Sequence, residues 1–318
     1  MKKILSIDGG GIRGLLPITL LARLEEELNK PLREHFQLMA GTSTGGLIVL
    51  CLAHGLSAKE VQEFYLVKTR NIFKDNVLDD IKDGFGKSLG ADYDQKNLER
   101  ILHVIFGDTT LGNLKKKSNC NVLIPAFDIS PEKEGNPVNF RPKVYNSVDE
   151  NDSNEKLVDV ACRTSAAPTY FPIREQHFID GGVSINHPAM AALAFAINKN
   201  LKNGLGYNMH DIKMLSIGTG TANQNRISLK EIGDGDWGSL KWIKYLPDLI
   251  TESNIQSSEY YVKQVLNYND DVDKHYLRVQ PQLENLIKID TKDPKILEDL
   301  INSANKISID NILSFLED

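Results

Sequence analysis

The sequence predicts a three-layer α/β/α fold built on a largely parallel sheet. Three observations carry that expectation. Short apolar runs that read as buried strands recur at residues 4–7, 36–40, 121–130 and 212–217. Stretches with helical apolar spacing lie between them, and glycine-rich turns follow several of the strands. Strands alternating with helices form a sheet covered on both faces.

Ile4, Leu5 and Ile7 form the first strand, and Gly9, Gly10 and Gly11 then let the backbone bend and approach a neighbour closely. The helix that follows begins near Leu15, and the unsatisfied N–H groups at such an end face any anion or oxyanion offered to them. Over residues 15–30, Leu16, Leu20, Leu24 and Leu28 fall at steps of four, with Glu25, Glu26 and Glu27 on the solvated side. FQLMA is a second strand, followed by a helix that Gly55 closes. Residues 56–120 read as mostly helical and polar, with Gly84, Gly86 and Gly90 marking a loop suited to a cap or lid. NVLIPAFDIS (121–130) and NFRPKVYNS (139–147) read as antiparallel neighbours, and LVDVACRTSAAPTYFPI as a helix stopped by Pro168 and Pro172. HFIDGG is a short strand and tight turn, HPAMAALAFAINK a buried helix, and IKMLSIGTG (212–220) another strand and glycine turn. Beyond residue 221 the chain reads as helices, with one strand-like run at HYLRVQP.

The length of 318 residues fits one large domain or two smaller ones. With no repeat, low-complexity tract or linker, a single domain over 1–318 is expected, its motifs within about 4–220 and a mainly helical part at 221–318. Hydrophobic residues at 41% and charged residues at 25% suit a soluble globular chain with a sizeable core. A net charge of -6 argues against nucleic acid as the main partner. Cys51, Cys120 and Cys162 have no metal-ligand spacing, so a reduced, cytoplasmic protein without metal or cofactor is expected. The apolar run after Lys2 and Lys3 breaks at Asp8, which argues against a secretory signal. The apolar span Gly46–Ala53 is too short to cross a bilayer, so any membrane contact would be made from its surface.

Gly41-Thr42-Ser43-Thr44-Gly45 fits the G-x-S-x-G elbow, which exposes a serine hydroxyl on a strand-to-helix turn. Alone, the pentapeptide serves equally well as a glycine-rich turn whose serine caps the next helix. A serine needs a base to become a nucleophile. Asp180 in FIDGG, at a strand end on the carboxyl edge of the sheet, is one candidate. Taken alone, it reads as an Asx-turn residue. His187 is the other.

Together the glycine loop Gly9–Gly14, the serine elbow and Asp180-Gly181-Gly182 resemble the patatin-like phospholipase family, in the order D-G-G-G-x-R-G, G-x-S-x-G, D-G-G. TSAAPTYFP (164–172) adds to the likeness, which covers roughly Ile4 to Gly220. The resemblance implies a patatin-like fold and a lipid acyl hydrolase acting on phospho- or galactolipids through an acyl-enzyme. In that reading Ser43 is the nucleophile and Asp180 its sole base. Gly10, Gly11 and Thr44 supply the oxyanion hole, and Gly9, Arg13, Gly14, Gly41, Gly45, Gly181 and Gly182 shape the loops. Arg13 could steer an anionic head group, but structural support is the preferred role. His187 could complete a triad, yet a supporting or helix-start residue is preferred because the family works without one. A lone carboxylate base is expected to keep working below the range where histidine protonates, about pH 6.5. The implied partners are an acyl-lipid substrate and a transient membrane surface. Head-group preference and oligomeric state are not legible.

Two other readings compete. Gly9-x-Gly11-x-x-Gly14 partly fits a dinucleotide fingerprint, but the acidic residue wanted some 20 residues on falls in a helix. SIDGGG, IDGG and IGTGT also resemble the phosphate loops of actin-like sugar kinases, which leaves the serine elbow unexplained. A non-catalytic lipid-binding scaffold is the second rival. Finally, DWGSLKWIKYLPDLI (236–250) mixes Trp237, Trp242 and Tyr245 with Lys241 and Lys244. Such a stretch can lie on a lipid interface, although core packing is the preferred reading.

Overall fold

The structure, a computed structural model, describes residues 1–72, 95–130, 139–222, 227–266, 272–284, 287, 291 and 293–317. A seven-stranded sheet is built outward from β1 (Lys2–Ile7). On one side β1 pairs in parallel with β2 (Leu38–Gly41), and β2 with β3 (Asn121–Asp128). On the other side it pairs with β6 (Ile212–Ile217), and β6 with β8 (Tyr276–Val279). Among the described residues only β4 (Arg141–Asn146) and β5 (Phe178–Asp180) run antiparallel, both against β3. A small second sheet joins β7 (Thr221–Ala222) to β9 (Gln282–Leu283).

Side chains of a strand point alternately to opposite faces, and here the alternation divides two cores. Leu5, Ile7, Met39, Val122, Ile124, Leu215 and Ile217 face one core. That core is covered by α1 (Leu15–Leu28), α3 (Thr44–His54), α4 (Ala58–Ile72), α5 (Gln95–Phe106), α7 (Leu157–Thr164), α12 (Pro294–Asn305) and α13 (Ile309–Leu316). The short helices α2 (Leu32–His35) and α6 (Leu111–Lys117) add Leu32, Leu111 and Leu114 to it. Ile4, Leu38, Ala40, Leu123, Ile212 and Met214 face the other core, against α8 (Ala189–Ile197) and the end of α10 (Ser239–Leu266). Two further short helices are α9 (Leu229–Ile232) and α11 (Val272–His275). This is the three-layer arrangement the sequence predicts.

Several expectations need correction. α7 ends at Thr164, before Pro168 is reached. There the Thr164 hydroxyl bonds the Pro125 carbonyl, and Ala166 turns its own carbonyl to the Asp180 N–H. β5 is antiparallel, so Asp180 does not end a parallel strand. The strand-like run expected at HYLRVQP is β8, which completes the main sheet among helices. The stretch 236–250 does not pack in the core: Leu240 is 88% exposed and Ile243 61%. The spacing of its apolar residues marks a face without saying what that face meets. The expected lid around Gly84, Gly86 and Gly90 lies outside the described residues.

Candidate active site

β2 ends at Gly41 and α3 begins at Thr44, which leaves Ser43 on the turn between them. Ser43 has φ 53° and ψ -120°, a conformation that costs a side-chain-bearing residue free energy and that surrounding contacts must hold. A Cβ on Gly41 would lie 2.2 Å from the Gly45 carbonyl oxygen, and one on Gly45 2.3 Å from that of Ile7. Both positions therefore require glycine. The Ser43 N–H donates to the Thr164 hydroxyl at 3.0 Å, which donates in turn to the Pro125 carbonyl at 2.5 Å. The Thr42 hydroxyl donates to the Ile185 carbonyl at 2.6 Å. Thr44 is fixed by Tyr65, whose hydroxyl contacts the Thr44 hydroxyl and donates to its carbonyl at 2.9 Å. As the first helical residue, Thr44 has an N–H with no acceptor inside the helix.

Asp180 arrives by a different route. β2 pairs with β3 at residues 121–123, and β4 occupies the opposite edge of β3. β5 then takes the place β2 vacates, pairing with residues 126–128. That substitution brings the end of β5 beside the turn after β2. The Asp180 carboxyl is 6% exposed and accepts the Gly182 N–H at 2.7 Å. No lysine, arginine or histidine pairs with it among the described residues. Burial pushes the carboxyl up to about 6, while interaction with the Ser43 hydroxyl and the Gly182 N–H holds part of that rise back. Gly181 and Gly182 form the 3-10 turn that carries the chain away.

The glycine loop lies beside Ser43. A Cβ on Gly9 would sit 3.4 Å from the Ser43 Cβ, so the two backbones are in near contact. The Gly9 N–H donates to the Asn186 carbonyl at 3.0 Å, and its own carbonyl accepts the Thr219 hydroxyl at 3.0 Å. Gly11 has φ 58° and starts the 3-10 turn that ends at Gly14, which packs on Thr44. No acceptor among the described residues takes the N–H of Gly10 or Gly11. The Arg13 guanidinium reaches the carbonyls of Gly10 and Gly220, each at 3.4 Å, tying this loop to the turn after β6.

His187 is turned away from the serine. Its Nδ1 lies 3.2 Å from the Ile255 carbonyl, which can only accept, so Nδ1 carries the proton. Nε2 then accepts from the Ser216 hydroxyl at 2.9 Å, and that hydroxyl takes an N–H from Arg278 at 2.9 Å. Burial lowers the imidazole pKa and favours the neutral ring. Arg278 also holds Asp8, at 2.5 and 3.0 Å.

The sequence matches the family model described as Patatin-like phospholipase over residues 5–193. The chain belongs to the patatin-like phospholipase family. Patatin-like protein 2 of Arabidopsis thaliana is 32% identical, covering 87% of this chain and 75% of that protein. A cGAMP-activated phospholipase of Pseudomonas aeruginosa is 33% identical over 84% of this chain and 76% of its own. Among solved structures, VipD from Legionella pneumophila superposes with a TM-score of 0.47 at 11% identity, covering 99% of this chain and 66% of VipD. The family assignment leaves the kinase reading without support.

Four residues that support this patatin-like site escaped the sequence reading. Thr164 holds the Ser43 backbone, Asn186 holds Gly9, and Asn254 bonds Ser184 and Asn186. Arg278 pairs with the aspartate of the first motif. Asn186 and Thr164 stand in or beside motif segments, which is the available signal. Asn254 and Arg278 give none.

Proposed function

We propose that the chain hydrolyses acyl esters of phospholipids or galactolipids through a Ser43–Asp180 dyad and an acyl-enzyme. The observation that carries this reading is the pairing of an elbow serine with a buried carboxyl that has no cationic partner among the described residues and is pushed to about 6. Such a group is a carboxylate at neutral pH yet basic enough to take a proton, which is what a general base needs. Asp180 accepts the Ser43 proton as Oγ attacks the ester carbonyl carbon. The N–H groups of Gly10, Gly11 and Thr44 receive the developing oxyanion, each contributing roughly 2.7–4 kcal/mol if they match donors measured in other enzymes. Collapse of the tetrahedral intermediate expels the lipid alcohol, which leaves with the proton from Asp180. Water then attacks the acyl-enzyme carbonyl with Asp180 again as base; the bond to Ser43 Oγ breaks, Oγ takes the proton back from Asp180, and the fatty acid departs.

Arg13 serves this site by bracing the glycine loop, and His187 supports it from outside the reaction. The similar Pseudomonas phospholipase favours phospholipid as the substrate class. The same reading takes residues 1–318 as one domain, since β8, α12 and α13 join the sheet and core of the motif-bearing part. It places the enzyme in the cytoplasm, acting at membrane surfaces without metal or cofactor. No helix among the described residues is long and apolar enough to cross a membrane.

Ser43→Ala tests the proposal. Hydrolysis of mixed phospholipids, followed by the fatty acids and lysolipids released, is expected to drop by at least about a thousandfold. Labelling by a fluorescent fluorophosphonate should disappear with it. A folded Ser43→Ala protein that keeps most of its activity sinks the dyad. A parent chain that neither hydrolyses lipid nor takes the label points to a binding scaffold instead.

A further inference from the structure

α10 has two halves that meet different surroundings. In the C-terminal half, Ile255, Ser258, Val262 and Leu266 are buried against the sheet and α8. In the N-terminal half, Trp242, Ile243, Leu246, Leu249 and Ile250 are all exposed, between 41% and 61%. At about 100° per residue these five fall within one sector of the helix. They form an uncharged stripe on a different side from the buried residues. Asp248 and Glu252 lie off the stripe, close enough to act electrostatically on Arg13.

We propose that this stripe is the face by which the enzyme seats itself in the interfacial layer of a phospholipid bilayer. The inference rests on the lipid-hydrolase reading above and names the surface that serves it. Three observations favour a lipid occupant. First, the two lysines of this half, which lie on the side of the helix away from the stripe, are laid over aromatic rings, with Lys241 Nζ 4.3 Å from the Trp237 ring centroid and Lys244 Nζ 4.8 Å from that of Tyr245. Trp237 also packs on Trp242 and Tyr245, giving a cluster with apolar bodies and polar tips, as the boundary between water and acyl chains favours. Second, the stripe runs into a groove of about 680 Å³ between α8 and α10, lined in part by Met190, Ala191, Leu249, Ile250 and Tyr261. Third, the helix is anchored to the candidate site directly after the stripe. Asn254 donates to the Ser184 carbonyl at 2.5 Å and accepts the Asn186 N–H at 3.0 Å. A surface that holds the stripe therefore holds the loop following Asp180.

Charge sharpens the commitment. The chain carries a net charge of -6, and Asp234, Asp236, Asp248 and Glu252 outnumber Lys241 and Lys244 around the stripe. Attraction to anionic lipid is therefore weak, and the contact works by apolar insertion. Binding should be as strong on neutral phosphatidylcholine as on anionic vesicles and should survive high salt, unlike a contact between exposed charges.

The test uses the full chain and phosphatidylcholine vesicles in a sedimentation assay at low and high salt. The parent should bind under both conditions. Ile243→Glu with Leu246→Glu should weaken binding by about thirtyfold or more, while hydrolysis of a short-chain, water-soluble ester stays within about twofold. Unchanged vesicle binding in that variant overturns the inference. So does binding that needs anionic lipid, or a parent dimer that the variant breaks into monomers. Should the double variant fail to fold, hydrogen exchange of the parent decides. Vesicle-dependent protection of the amides of 240–250 upholds the proposal, and its absence removes it. A dead Ser43→Ala enzyme beside unaltered vesicle binding by the stripe variant would remove only this inference. An active Ser43→Ala enzyme would remove only the dyad.

Discussion

The tetrapeptide Ile-Asp-Gly-Gly occurs twice, at residues 7–10 and 179–182, and its two aspartates have been given opposite surroundings. Asp8 directly follows β1, Asp180 ends β5, and both are buried. Asp8 is gripped by the Arg278 guanidinium through both carboxylate oxygens. Asp180 meets a serine hydroxyl and one backbone N–H, and no cation among the described residues. A paired carboxylate is electrically satisfied and makes a poor base. An unpaired one in a dry site retains its appetite for a proton. The partner brought from elsewhere in the chain, rather than the tetrapeptide, decides whether the aspartate braces a loop or is left able to take a proton, as proposed for Asp180.

Replacing each aspartate by asparagine separates the two environments most sharply. Asp180→Asn should lose at least about a thousandfold in lipid hydrolysis, because an amide cannot accept the serine proton. Its stability should move the other way. The folded carboxyl titrates near 6 against an ordinary value of 3.8, so the folded state binds the proton more tightly than the unfolded chain. That contribution is fully present below about pH 4 and lost as pH rises through 6, reaching a cost of about 3 kcal/mol in the parent at pH 8. The neutral amide of the Asp180→Asn variant would not bear that cost, so thermal unfolding at pH 8 should show the variant more stable than the parent. A variant that is less stable at pH 8 contradicts this account of the site.

Asp8→Asn is expected to change stability with the opposite sign. It leaves Arg278 buried without its carboxylate, and removing one partner of a buried pair costs about 3–5 kcal/mol. Denaturant unfolding should record that loss. Arg278→Met added to Asp8→Asn should recover part of it, because the stranded charge is then gone. Equal stability changes at Asp8 and Asp180 would erase the distinction drawn between them.

These two aspartates also show what a sequence can carry. The glycines and serine of the elbow are local: Gly41 and Gly45 are required by atoms a few residues away or on the neighbouring strand, so a pentapeptide announces them. The alternating apolar residues likewise announce a two-faced sheet, as with Leu5 and Ile7 on one side and Ile4 on the other. What stays hidden depends on pairing across long stretches of chain. That β5 would replace β2 at the edge of β3 follows from no local pattern, though it is what delivers Asp180 to Ser43. Arg278 reaches Asp8 from the far end of the chain, and its neighbours Leu277 and Val279 only announce a strand. The stripe on α10 is visible as a spacing, but the same spacing serves a core or an interface. Exposure alone distinguishes them.

The smallest effect is expected at His187, and it bears on the comparison because this histidine belongs to the Asp8 side. Its ring is bound to Ser216, Ile255 and, through Ser216, to Arg278, so it braces the glycine loop with Asp8 and has no bond to Ser43 or Asp180. His187→Ala should therefore keep hydrolysis within about tenfold of the parent, a difference of about 1.4 kcal/mol. A pH profile of the parent cannot by itself make this point. A lone carboxylate of ordinary acidity would work well below the histidine range, but burial lifts Asp180 to about 6, so activity should fall off where a histidine base would also fail. The variant resolves the ambiguity: its activity should retain the same midpoint near pH 6, since the proposed base, Asp180, is still present. Stability gives an independent reading with its own sign. Burial lowers the His187 pKa, so the unfolded chain takes up a proton below about pH 6.5 that the folded chain refuses. That contribution is present above about pH 6.5 and lost as pH falls, and the variant should shed it, losing less stability than the parent on going from pH 7 to pH 5. A folded His187→Ala protein as inactive as Ser43→Ala would move His187 from the Asp8 network into the reaction and leave Asp180 as its orienting group.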